Sequence, residues 1–138
     1  MKVVIVGGVA GGAGCAARLR RLDETAEIVI LERGDYISYA NCGLPYHIGD
    51  VIPDEEDLTL QTPESFYTRF RVQMKVRHEV TAIHPQKKTV SVKDLDTGRE
   101  FEESYDYLKD AFHGKAVVDS DMIKSSDGNY YITAYVPI

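Results

Sequence analysis

The sequence predicts an α/β fold of three layers around a parallel βαβ unit, and three observations carry that expectation. The run Val3-Val4-Ile5-Val6 is four consecutive apolar residues bounded by glycine, the pattern of a strand buried on both faces of a parallel sheet. It passes without a linker through Gly7-Gly8-Val9-Ala10-Gly11-Gly12 into a segment whose Gly12, Cys15, Ala16, Leu19 and Leu22 recur at helical spacing, a stripe suited to lie on the sheet. A second apolar run, Ile28-Val29-Ile30-Leu31, then ends in Glu32.

Each piece of this unit suits a dinucleotide. Glycines let the backbone turn tightly, bring amide N–H groups close to a diphosphate and let the helix close on the strand, while the positive helix N-terminus favours the anion. An acidic residue ending the second strand can accept hydrogen bonds from both hydroxyls of an adenosine ribose, and it disfavours a 2′-phosphate. Gly7, Gly8, Val9, Ala10, Gly11, Gly12 and Glu32 are therefore candidate cofactor-binding residues. One departure from G-x-G-x-x-G stands at Val9, where the middle glycine is expected. On these residues alone, a βαβ unit without a ligand is the alternative.

At 138 residues and 43% apolar content there is room for one core. The formal charge of −6, with no basic run, argues against a nucleic-acid partner. Asp54-Glu55-Glu56-Asp57 reads as a solvated loop. No apolar stretch reaches membrane-spanning length, and Met1-Lys2 leads into the first strand without a signal-peptide pattern, so a cytoplasmic chain with no membrane partner is expected. Cys15 and Cys42 make no disulfide framework. No metal site is expected.

The segment from Arg33 to Tyr46 is a loop rich in special residues at the carboxyl end of a parallel strand, where such folds carry their chemistry. Cys42 lies there beside Gly43, three residues before Pro45, in a polar and aromatic setting that suits a partly exposed thiol. Cys15, on the sheet-facing stripe, reads as a buried, inert residue. On another stripe of the same helix, Gly14, Arg18 and Arg21 stand at i, i+4 and i+7, so that two guanidinium groups over a small residue leave room for phosphates. The alternative is a solvated arginine face partnered by Asp23 and Glu24.

Further along, Thr62 as N-cap and Pro63 in the first turn predict a helix ending near Phe70. Val72 through Ile83 predicts strands with Val76, His78, Val80 and Ala82 on one side, His78 being a packed strand residue. Thr89–Val92 and Glu100–Glu102 flank a turn in which Gly98 can take positive φ, predicting a β-hairpin.

Val-Gly-Gly-Val-Ala-Gly-Gly at 6–12, Ala-Arg-Leu-Arg-Arg-Leu-Asp at 17–23 and Tyr-Ala-Asn-Cys-Gly-Leu-Pro-Tyr at 39–46 together resemble the single-cysteine branch of the pyridine nucleotide-disulfide oxidoreductases. Thr62–Phe66, His78–Val80 and Glu102–Asp106 continue the likeness, which spans about the first 107 residues. That branch contains coenzyme A-disulfide reductases, persulfide reductases and NADH oxidases. The resemblance implies a Rossmann-like FAD-binding unit, with FAD held by Gly7 to Gly12 at the diphosphate, Glu32 and Arg33 near the adenosine, backbone around Val80 on the adenine side, and Asn41 near the thiol. It makes Cys42 the redox nucleophile. It also puts coenzyme A phosphates near Gly14, Arg18 and Arg21, and the pantetheine and thiol near Ser38 and Asn41. Dithiol relatives carry C-x-x-x-x-C here, but His47 occupies the position of the second cysteine. The second sulfur then comes from a coenzyme A or small-thiol disulfide or a persulfide, or Cys42 cycles through a sulfenic acid with oxygen or peroxide as oxidant. In the family NAD(P)H reduces the flavin, which reduces sulfur.

After Tyr107 the resemblance ends. The expected organisation is a partial FAD-binding, Rossmann-like domain over 1–107 with an appended β-hairpin, then a divergent, β-prone tail over 108–138, foreign or frameshifted. The tail resembles the strand-turn-strand near the end of Cache-type ligand-sensing domains, with Ser126-Asp127-Gly128-Asn129 as the turn. No second dinucleotide fingerprint follows, so NAD(P)H has no expected site in this chain and turnover by the chain alone is not expected. The alternative is a non-catalytic flavin- or nucleotide-binding module, or a chimeric fragment with a sensor-like tail. An open sheet edge would invite a second copy of the chain, giving a homodimer, or the tail strand Tyr130 to Val136.

Overall fold

A computed structural model describes residues 1–110 and the short segments 123–124 and 130–131. Its centre is a parallel sheet of β1 (Lys2–Val6), β2 (Glu27–Leu31), a short strand at Gln73–Lys75 and another at Tyr107–Asp110. Counted in chain order, β3 (Ile37–Tyr39) and β4 (Thr59–Gln61) form a separate antiparallel pair, so the two short strands are β5 and β9, and the sheet order is β5-β2-β1-β9. Between them, β6 (His78–His84), β7 (Thr89–Asp94) and β8 (Glu100–Ser104) make a three-stranded antiparallel sheet.

Alternation along β1 and β2 sorts the core into two halves, because successive side chains of a strand point to opposite faces. Val3, Ile5, Ile28 and Ile30 face one way and bury against α1 (Ala10–Leu22) and Phe66 of α3 (Pro63–Phe70). Val4, Val29 and Leu31 face the other way, onto Val90 and Val92 of β7. The β7–β8 hairpin, with Gly98 at φ 73°, is thus part of the third layer that covers the far face of the parallel sheet. Both faces of the sheet need cover, which is why β1 and β2 tolerate no polar residue between their ends.

The layers are also pinned by charge. Glu103 on β8 bonds Lys2 of β1 at 2.6 Å and Lys75 of β5 at 2.8 Å. Burial pushes the Glu103 carboxyl up, but the two ammonium groups outweigh it and hold the carboxyl below its ordinary range. The hydrogen bond to Glu103 raises the Lys2 ammonium in turn.

Three expectations need correction. Leu22 lies at the last position of α1 and is 59% exposed, because the sheet-facing stripe ends at Leu19. Val76, His78, Val80 and Ala82 do not form one continuous side. Val76 and Arg77 make a turn between β5 and β6, with Arg77 at φ 58°, and a β-bulge between Val80 and Ala82 shifts the register again. The acidic stretch from Asp54 is exposed, but it winds into a 3₁₀ turn (Glu55–Leu58) that delivers Leu58 to the interior.

The readings of α3 and of His78 match. Thr62 caps α3 in a reciprocal capping box with Ser65, and Pro63 opens the helix. His78 is half-buried, its ring set edge-on to Phe101 at 5.9 Å. β9 runs through the junction expected at 107/108 and pairs with β1 from Val3↔Tyr107 to Val6↔Asp110. In the tail, β10 (Ile123–Lys124) pairs antiparallel with β11 (Tyr130–Tyr131). The turn expected at Ser126–Asn129 and the strand expected to continue to Val136 lie outside the described residues.

Candidate functional site

The glycine-rich turn is built by close approach. Gly7 takes φ 97°, a left-handed conformation that glycine adopts without steric cost, and its N–H donates to the Leu31 carbonyl at 2.8 Å. A Cβ on Gly12 would lie 1.8 Å from the Gly7 carbonyl oxygen, so only hydrogen lets α1 start this close to β1. Val9, in the place of the expected middle glycine, is the N-cap residue with an extended backbone (φ −78°), which valine adopts without strain. It offers no side-chain oxygen to the helix, and no acidic residue occupies the first turn, so the N-terminal amides of this 13-residue helix stay open to an anion.

Glu32 is the buried charged residue of this region, 5% exposed. One carboxylate oxygen accepts the Gly8 N–H at 2.6 Å and the other accepts the Gly34 N–H at 2.7 Å. Each oxygen keeps a lone pair for a further donor. The Glu32 backbone ties in the end of the parallel sheet, its N–H donating to the Lys75 carbonyl and its own carbonyl accepting from His78, the first residue of β6. β6 is an edge strand, and Val80 on it packs its side chain into the second core cluster while its backbone pairs with Val92. Arg33 is exposed and reaches Glu79 at 3.7 Å.

Gly8 connects this acidic corner to the cysteine segment. Its carbonyl accepts the N–H of Ser38 at 3.1 Å, and Ser38 holds the left-handed conformation, φ 52°. β3 then pairs with β4, and Asn41, Cys42 and Gly43 form a 3₁₀ turn leading into the short helix α2 (Leu44–Ile48). Asn41 and Cys42 are both exposed. His47, five residues on, is half-buried with Nδ1 2.7 Å from the Ile52 carbonyl. Cys15 is the opposite case, buried in the core beneath α1, where burial pushes its thiol up and Lys109 pulls it only partly back.

Gly14, Arg18 and Arg21 lie on the outer side of α1, all exposed, and α1 packs against β3. Neither Asp23 nor Glu24 pairs with these arginines through its side chain: Asp23 turns back to accept from Thr25 and Ala26. The arginine between them behaves differently. Arg20 donates to the carbonyls of Asp23, Glu24, Phe70 and Arg71, stapling the end of α1 to the end of α3. Sequence reasoning passed over Arg20, Gly34 and Leu58. Gly34 alone had a legible signal, since a glycine two residues after a carboxylate can turn its amide back onto it.

The fold and this site define the class of the chain: it belongs to the pyridine nucleotide-disulphide oxidoreductase family, whose model matches residues 1–108. Among its relatives, a coenzyme A disulfide reductase of Staphylococcus aureus is 50% identical over 107 residues, 78% of this chain and 24% of that protein. The structure of reduced Bacillus anthracis CoADR-RHD superposes with a TM-score of 0.79 at 49% identity, covering 86% of this chain and 21% of the other. A NAD-dependent persulfide reductase from A. fulgidus gives 0.76 at 34% identity, over 80% of this chain and 20% of that one. A water-forming NADH oxidase from Lactobacillus brevis bound to NADH gives 0.76 at 31%, over 92% and 28%. The chain therefore spans about a quarter of the length of the curated relatives it matches. Among the described residues no helix is long and apolar enough to cross a membrane.

Proposed function

We propose that this chain is the flavin-holding portion of an oxidoreductase of the coenzyme A-disulfide or persulfide reductase type, with Cys42 as its sulfur nucleophile. The observation that carries the reading is the exposed Cys42 on a segment fastened through Ser38 to the peptide of Gly8, within a stretch half identical to a coenzyme A disulfide reductase. FAD fits the residues present. A turn in which any Cβ at Gly12 would collide, an uncapped helix N-terminus and a buried carboxylate with acceptor capacity left suit a diphosphate and a ribose. Gly7, Gly8, Val9, Ala10, Gly11 and Gly12 would hold the diphosphate, Glu32 and Arg33 the adenosine, the edge backbone at Val80 the adenine, and Asn41 would stand at the thiol side.

Cys42 acts as a thiolate on one sulfur of a disulfide R–S–S–R, forming Cys42–S–S–R and releasing R–S⁻. Arg18 and Arg21, exposed beside Gly14, bind the phosphates of a nucleotide thiol such as coenzyme A, with Ser38 and Asn41 nearer its sulfur. The chemistry FAD supplies when bound is carriage of two electrons from NAD(P)H to sulfur.

The test is an absorption spectrum of the purified chain with added FAD, followed by oxidised coenzyme A and intact mass. A flavin band and an adduct of one coenzyme A thiol on Cys42 are expected, and Cys42→Ser should lose the adduct while binding flavin nearly as before. Flavin binding without an adduct would leave a nucleotide-binding module. Failure to take up flavin at all would overturn the reading of the glycine turn.

A further inference from the structure

The turn that carries Cys42 is fixed at both of its ends by one residue outside the 39–46 block, Leu58. At the start of the turn, the Leu58 carbonyl accepts the Ala40 N–H at 2.8 Å, continuing the ladder that pairs Tyr39 with Thr59. At its end, Gly43 is buried against the Leu58 side chain so closely that a Cβ on Gly43 would lie 2.6 Å from Leu58 Cδ2. The Gly43 N–H closes the turn on the Ala40 carbonyl at 2.8 Å. Leu58 itself is 1% exposed, and Cys42 between the two anchor points is exposed.

We infer that Leu58 is a positioning residue for Cys42: its side chain sets the depth at which the Asn41–Gly43 turn sits, and with it the presentation of the thiol. The exposed acidic run before Leu58 then has a structural purpose, since the 3₁₀ turn from Glu55 delivers that residue under Gly43. The importance of this contact to catalysis rests on the function proposed above, but the contact's effect on thiol presentation does not.

The steric relation predicts opposite effects from its two sides. Gly43→Ala pushes the turn away from Leu58 and should speed alkylation of Cys42 by iodoacetamide. Leu58→Ala lets the turn settle inward and should slow it. Shifts of opposite sign are expected, a rise in rate for one variant and a fall for the other. The double variant, in which the added methyl occupies the vacated space, should return to within about twofold of the parent. Rates are read by mass spectrometry of the Cys42 peptide, with buried Cys15 as internal reference and far-UV circular dichroism as the check on folding. A merely structural role for Leu58 would loosen the turn in every variant and move all rates the same way, and that pattern, or unchanged rates in folded variants, would overturn the inference. If Leu58→Ala does not fold, Gly43→Ala and the double variant decide, because only positioning makes the second substitution reverse the first. Oxidised coenzyme A is run in parallel. Absence of its adduct in the parent chain counts against the proposed function and leaves the iodoacetamide comparison intact.

Discussion

The Gly8 amide donates to the Glu32 carboxylate at 2.6 Å, so the buried charge that ends the second strand also closes the turn that follows the first. Glu32 is therefore part of the folded turn before any ligand arrives. Glutamine keeps a single acceptor oxygen and sets an NH₂ against the remaining backbone N–H, at Gly8 or at Gly34. Glu32→Gln should destabilise the chain by about 1–3 kcal/mol even without flavin, read as a lower urea midpoint. An unchanged midpoint would mean that both amides find other acceptors.

Two glycines of α1 should respond in opposite directions to the same substitution. Gly12→Ala meets the Gly7 carbonyl oxygen at 1.8 Å and should cost about 3 kcal/mol or more, or prevent folding. A methyl added at Gly14 meets nothing within 4 Å, so Gly14→Ala should stabilise the helix by about 0.5–1 kcal/mol. Thermal unfolding of the two variants distinguishes them directly.

The arginines of α1 divide by task. Arg20→Ala leaves the carbonyls of Phe70 and Arg71 without their donor and should lower stability by about 1–3 kcal/mol. Arg18→Ala and Arg21→Ala should stay within about 0.5 kcal/mol of the parent while weakening capture of oxidised coenzyme A, increasingly so at low salt. Unfolding curves and adduct-formation rates on the three variants check both halves.

The sheet-to-sheet brace should show in the acid limb of stability. Glu103 titrates lower in the folded chain than in the unfolded one, so its contribution is complete above the ordinary carboxylate range near pH ~4.3 and is lost as pH falls through the depressed folded value. Lys2 has the opposite sense: its contribution is complete below the ordinary lysine range and is lost as pH rises through the raised folded value. Glu103→Gln should flatten the fall in unfolding free energy between pH ~5 and ~3, measured by urea titration at several pH values. A curve parallel to that of the parent would assign the acid sensitivity to other carboxylates.

Local pattern in the chain was enough to specify several elements. Apolar runs mark β1 and β2, helical spacing marks α1, Thr62 and Pro63 mark the start of α3, and Gly98 marks the hairpin, because each follows from the period or backbone freedom of adjacent residues. The glycine turn and Glu32 could be picked out as candidates for the same reason, since their residue types stand at fixed offsets from those elements, whereas Cys42 was picked out by its loop setting and by the resemblance of residues 39–46. Features that depend on partners distant in the chain were settled by packing instead. The hairpin became part of a covering layer because β1 and β2 expose apolar side chains on two faces and α1 can cover only one. Arg20 became a staple, Leu22 stayed in water and Leu58 slid beneath Gly43 because packing joins residues that no periodicity relates. The turn at Arg77 and the start of β6 escaped an alternation rule for the same physical reason: their amides donate to the carbonyls of Gly34 and Glu32, far away in sequence, and those bonds fix where the strand begins.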